Sequence, residues 1–399
     1  MLANTKLPPE FAVVLILTFG AFSLGMAEFT TIWSLPQMAN SLGTTTTQIG
    51  PAASFYALGV LIGTPILALL GSHISRPKLL TYVLVWCCIG NLATSYVNSY
   101  EQLQWVRFFC GMPHGVFLGV SGVIFSQMLS PNKWGMSIGI LMSGIGLAFL
   151  LVVPLTTYFG EVQDWRAIFR VVALMDLLII VLLHDLIPEL PPYTAKPAWQ
   201  EIKALTNPLL WWILAISATA ICGRMAVFAY ATPLITEVAM MPATQLPLIA
   251  ICGGIGTLMG FAWGGYWSDK NVHKTLGYAL LWCLLVMGLF DVLIVTQSVF
   301  LTYLAFFLLG TITVIVPSLQ VLSMRYAPED RTLSSCLNHA AMNAANAAGP
   351  LLAGLLIGAG YHWESLTWMG MLICLLAGLI FLLGWWLLKP KLATPPTQA

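Results

Sequence analysis

The chain has 399 residues, 59% of them hydrophobic and only 8% charged, where a soluble protein carries about 25% charged residues. That composition excludes a soluble globular protein and defines a polytopic membrane protein. Sixteen basic and fifteen acidic residues leave a net charge of +1, no surplus with which to hold nucleic acid, and the eight cysteines sit in apolar stretches without metal spacing or loop clustering, so neither a metal centre nor a disulfide scaffold is expected.

Twelve apolar segments are predicted as membrane-crossing helices: 11–35, 48–70, 79–97, 101–126, 134–158 and 166–187, then 208–236, 245–267, 275–296, 299–324, 332–358 and 365–388. At 1.5 Å of rise per residue, such lengths suit a hydrocarbon core about 30 Å thick. Lys6 ahead of the first run imitates a signal peptide, but that run is too long for one, so it is read as the first helix. The stretch 188–207 turns polar, with Pro188, Pro191, Pro192 and Pro197 and a short amphipathic piece from Trp199 to Leu205. It is read as a cytoplasmic linker between an N-terminal six-helix half, 1–187, and a C-terminal six-helix half, 208–399. The halves repeat one another: at an offset of 197, Gly59 and Gly63 fall on Gly256 and Gly260, and at 196 Pro154 falls on Pro350. Pseudo-symmetry of this kind belongs to transporters that rock two halves about a site at the midplane. The expected fold is therefore all-α, with twelve transmembrane helices in two pseudo-symmetric halves.

Loops facing the cytoplasm carry Lys and Arg in excess. With both termini inside, twelve of the sixteen basic residues lie on that side, only Arg166 lies outside, and Arg107, Arg170 and Arg224 fall within segments.

Ionisable residues inside the segments are functional candidates by default, because each costs roughly 2.5 to 3.5 kcal/mol at the bilayer centre. Glu28 lies in the first segment; Arg107 and His114 lie in the fourth. Glu28 and Arg107 are each about 10 Å below the outer surface by helix rise, close enough in depth to meet. A cycle that makes and breaks their pair would swing the proton affinity of Glu28; the competing reading is a permanent structural pair. His114 suits proton handling or a hydrogen-bonding fixture equally. Arg224 in the seventh segment is either a solute contact or the partner of Asp176 or Asp291. Glycines at four-residue spacing, Gly111, Gly115 and Gly119 and then Gly256, Gly260 and Gly264, are read as close-packing surfaces.

These residues resemble the major facilitator superfamily, and within it the arabinose-efflux-permease type of drug or sugar:proton antiporter. The first segment carries Gly25, Glu28-Phe29 and Leu35-Pro36, the second Tyr56-Ala57-Leu58-Gly59, and the fourth Arg107 followed by Gly111 and Pro113-His114-Gly115. Gly144, Ala148 and Pro154, Trp165-Arg166, Tyr230 with Pro233, and Asn343 with Gly349-Pro350 also match. Ser72-His73 replace the family's Asp-Arg pair before Arg76, whereas Asp269-Lys270 keep the acidic-basic pair in the second half; Val152 and Thr156 stand where the antiporter pattern has glycine.

The resemblance implies a secondary transporter, not an enzyme, that exports a small, largely uncharged amphipathic solute (a drug, sugar or nucleoside-like molecule) in exchange for protons. Glu28, Arg107 and His114 would couple protons; Tyr56, Phe149, Tyr230, Asn343 and, from its charge at mid-depth rather than from the family pattern, Arg224 would bind solute; Arg76, Asp269 and Lys270 would gate. It would be a monomer of the bacterial inner membrane, with no cofactor beyond the proton gradient. Symport or facilitated import of a sugar is the alternative within transport. An intramembrane enzyme is the alternative outside it, because Gly135-Met136-Ser137-Ile138-Gly139 spells a nucleophile elbow, though without the strand-turn-helix setting that chemistry needs.

Overall fold

The computed structural model describes residues 9–45, 49, 51–162, 164–186, 203–327 and 331–388. Most of the 188–207 stretch, with Lys196, and also Lys6, Lys389 and Lys391 lie outside the described residues. Among the described residues twelve long helices run through the bundle: α1 Pro9–Trp33, α2 Pro51–Leu70, α3 Arg76–Thr94, α4 Tyr100–Met128, α5 Trp134–Val162 and α6 Arg166–Leu186. They continue as α7 Pro208–Phe228, α8 and α9 over 246–270 and 272–295, α10 Val299–Tyr326, α11 Arg331–Gly358 and α12 Ser365–Leu387. No strand occurs among the described residues, as expected of a chain in hydrocarbon, where a helix satisfies its own backbone.

Local chemistry sets the boundaries. The Ser99 hydroxyl accepts the Gln102 N–H at the start of α4, and Asn207 caps α7 by accepting from Leu209 N–H, with Pro208 in the first turn, where a missing N–H costs nothing. The chain differs from expectation in four places. α1 ends at Trp33 and is followed by a short helix, Leu35–Ser41, with Pro36 in its first turn. α4 is interrupted at Met112 and Pro113. α7 stops at Phe228, and the chain turns through Ala231–Pro233 into a π-turn at Leu234–Val238, because Pro233 lacks the N–H that would continue the ladder. α8 and α9 are joined with only Asn271 outside helical geometry.

The glycines do the packing assigned to them, twice over. A Cβ on Gly59 would fall on the carbonyl oxygen of Phe108 in α4, and one on Gly256 would fall on that of Phe307 in α10. In return, Gly111 lies against the Tyr56 carbonyl and Gly310 against that of Gly253. The α2–α4 contact thus recurs as α8–α10.

One end of the bundle, formed by the α2–α3, α4–α5, α8–α9 and α10–α11 connections, holds Arg76, Lys78, Lys133, Lys270, Lys274, Arg325 and Arg331; the far end holds Arg166 among the described residues. At the basic end α1–α6 and α7–α12 are drawn together. Gly135 and Gly139 of α5 lie against the backbone of Gly265 and Phe261 in α8, and Gly119 of α4 lies against Cys336 of α11.

Candidate functional site

A cavity of about 820 Å³ lies between the two sets of helices, lined from α1, α2, α4 and α5 on one side and α7, α8, α10 and α11 on the other. Its wall reaches the far-end residues Pro36, Thr232 and Leu246, whereas the basic end is shut. Glu28, Tyr56, His114, Phe149, Arg224, Tyr230 and Asn343 all line it; of the proton and solute candidates only Arg107 does not.

Glu28 does not pair with Arg107. Its Oε2 stands 3.9 Å from Nε2 of His114, and the carboxylate keeps 16% of its surface open against 4% for the imidazole. That separation is ion-pair reach, longer than a hydrogen bond. The other ring nitrogen, Nδ1, is hydrogen-bonded to the Tyr56 hydroxyl at 2.7 Å. Arg107 is fully buried, donates from Nη2 to the Ala27 carbonyl at 2.9 Å, and lays its guanidinium over the Tyr56 ring at 4.4 Å; its Nε and Nη1 find no hydrogen-bond partner. The reason is directional. Side chains on a helix lean toward its N-terminus; α1 and α4 run antiparallel, so Glu28 leans toward the basic end and reaches His114, while Arg107 leans toward the far end. Equal depth by helix rise did not place the two head groups together.

Arg224 pairs with neither of its expected acids. Asp176 is buried in α6 and accepts from Ser23 Oγ at 2.7 Å and Asn91 Nδ2 at 2.8 Å; Asp291 accepts from Thr367 Oγ1 at 2.8 Å. Arg224 instead lies 5.4 Å over the Phe228 ring, with Nη1 3.7 Å from the Met225 sulfur and Nε without a partner. Phe228 stacks edge-on with Phe149 at 5.2 Å, and Phe149 with Phe29 at 5.3 Å, an aromatic ladder from α7 to α1. The Tyr230 hydroxyl donates toward the Pro350 carbonyl at 3.4 Å.

His339 was not anticipated. It is 1% exposed, lines the cavity, and its Nε2 has no hydrogen-bond partner; Asn343 Oδ1 is likewise unmet, while Asn343 Nδ2 donates to the His339 carbonyl. The signal was present: His339, Asn343 and Asn346 recur at i, i+4 and i+7, one polar face on an otherwise small-residue helix.

Of the gate candidates, Asp269 joins the two sets of helices. Its Oδ1 and Oδ2 accept the N–H groups of Gly135 at 2.6 Å and Met136 at 2.9 Å, at the N-terminus of α5, where unpaired donors and the helix dipole favour an anion. Arg76 Nε donates to Thr332 Oγ1 of α11 at 3.2 Å, and the guanidinium of Arg331 lies 5.2 Å over the Trp134 ring. Lys270 makes no crossing contact of this kind: its ammonium lies over the Tyr266 and Trp267 rings of its own helix at 4.3 and 4.4 Å. A relay of hydrogen bonds runs from Ser217 to Asn338 to Gln320 to Ser335, whose hydroxyl donates to the Gly119 carbonyl at 2.9 Å. Ser137, the centre of the elbow-like spelling, donates its hydroxyl to the Lys133 carbonyl of its own turn.

Twelve crossing helices around a central cavity, shut at one end by polar bonds between two six-helix sets, define a multi-pass membrane transporter. The chain belongs to the Major Facilitator Superfamily, whose family profile matches residues 17–281 and 277–399. It is 28% identical to the inner membrane transport protein YdhP of Escherichia coli, covering 93% of this chain and 94% of that one. It is 24% identical to a "Probable sugar efflux transporter" of Helicobacter pylori, covering 88% and 91%. The solved proton:xylose symporter XylE superposes with a TM-score of 0.75 at 15% identity, over 94% of this chain and 95% of the other, a likeness of fold. Family and relatives alike are transporters rather than enzymes.

Proposed function

We propose that the chain exports a small amphipathic solute in exchange for protons, by alternating access of the 1–187 and 208–399 halves about the central cavity. The observation that carries this reading is the position of Glu28: a carboxylate on the cavity wall within ion-pair reach of His114, which is itself hydrogen-bonded to Tyr56, with the Arg107 cation lodged one residue away against Ala27. With the basic end cytoplasmic, as the positive-inside rule supports, the conformation described is outward-open and Glu28 faces the outer side. A proton reaching Glu28 from outside would accompany solute release. In the opposite state, a shift of α1 against α4 that brings Glu28 to Arg107 stabilises the carboxylate and sends the proton to the cytoplasm. No cofactor enters this cycle; the proton gradient drives it, and one chain holds the whole site, in keeping with a monomer. The relatives' names support efflux and a bacterial inner membrane.

Everted membrane vesicles test it. A transported solute added to acidified everted vesicles should release protons from the lumen, and Glu28→Gln should abolish that release while leaving solute binding. Solute movement indifferent to the pH gradient, with Glu28→Gln fully active, contradicts it and favours facilitated transport.

A further inference from the structure

Arg224 is a permanent cation on the cavity wall, and among the described residues no acid answers it. Arg keeps its charge at every accessible pH, and a membrane-buried cation without an acidic protein partner is free to meet an anion that enters the cavity. Its level in the bundle can be fixed. Ser217 of α7 bonds Asn338 of α11, and further along Gly349 lies against the backbone of Cys222 and Ala226. Arg224 therefore lies at the level of 346–349 of α11, with Asn346 lining the same cavity and the unmet Oδ1 of Asn343 one turn deeper. The guanidinium rests against Phe228, the end of the Phe29, Phe149 and Phe228 ladder. A charged, bidentate donor thus stands at the edge of an apolar surface of edge-to-face aromatic rings.

We propose that Arg224 and this face of α11 form a head-group subsite for an oxyanion, so that the transported class is amphipathic organic anions: a carboxylate or comparable monovalent oxyanion on an aromatic-sized body that lies on Phe149 and Phe228. Arginine pairs bidentately with carboxylates, and such bonds are strongest where water is excluded. Asn343 Oδ1 accepts a hydroxyl or N–H of the same solute. This replaces the largely uncharged solute expected from sequence, and it rests on the reading of the cavity as a transport site.

The test is equilibrium binding to the purified full chain in detergent, without a gradient, so its failure is separable from failure of the proton exchange measured in vesicles. Three probes of one shape are compared: naphthalene-2-carboxylate, naphthalene-2-carboxamide and 2-naphthylmethylamine. The carboxylate should bind at least about tenfold more tightly than the amide, and the amine most weakly. Arg224→Gln should erase that preference, and Arg224→Lys, which keeps the charge, should retain much of it; thermal unfolding of each variant establishes that it is folded. Equal binding of carboxylate and amide, preference for the amine, no binding of the carboxylate, or a preference that survives Arg224→Gln would each overturn the proposal.

Discussion

Asp269 brings one negative charge to two backbone N–H groups that no residue of α5 can satisfy, and it does so from the opposite six-helix set. A charge at a helix N-terminus is worth about 0.3–1 kcal/mol, rising to ~2 kcal/mol when partly buried. Asp269→Asn keeps an acceptor but loses the charge, and should shift the balance away from the basic-end-closed state by about fivefold. Cys336, buried where α11 meets Gly119, reports this: with all other cysteines replaced, its maleimide labelling should quicken by that factor, and an unchanged rate would reduce Asp269 to a local cap. At this scale the sequence was partly legible. Every proton and solute candidate but Arg107 lines the cavity, because a charge or polar group in a membrane segment has few other places to go. What pairs with what was not legible, since the lean of side chains on antiparallel helices separates Glu28 from Arg107 by more than depth reveals. His339 was passed over because a single histidine among alanines and asparagines draws notice only when the seven-residue face is counted.

Helices here are held at backbone distance by glycine, and the repeat makes that testable. The α2–α4 and α8–α10 seams place Gly59, Gly111, Gly256 and Gly310 each against a facing carbonyl, leaving no room for a methyl group. Gly256→Ala should destabilise the purified protein by about 1–3 kcal/mol, the usual cost of overpacking, read as a lowered unfolding temperature. Gly378→Ala in α12, where an added Cβ meets nothing within 4 Å, should not. Equal stability of the two variants would mean the seam yields. The segments and this glycine spacing were legible because hydropathy and small-residue period are local properties. The turn of α7 at Tyr230 and the interruption of α4 at Pro113 were not, although both prolines were in view, since membrane helices accommodate some prolines and break at others according to their neighbours.

As a whole molecule, the chain couples a cavity open at one end to a seal at the other. The seal is built of Asp269, the Arg76–Thr332 bond and the Ser335–Gly119 bond; in the proposed cycle all of these part when the basic end opens, while the Glu28–His114–Tyr56 string, held within α1, α4 and α2, remains with the cavity. Exchange follows if solute and proton favour opposite protonation states of Glu28, because each then displaces the other through the shared site. The direct measurement is proton release on binding: the tightest-binding solute is added to purified protein in weakly buffered detergent solution at neutral pH, with a pH-indicating dye. Binding should release protons from the wild-type chain and none from Glu28→Gln; solute binding that leaves the proton count unchanged in the wild type would contradict the account.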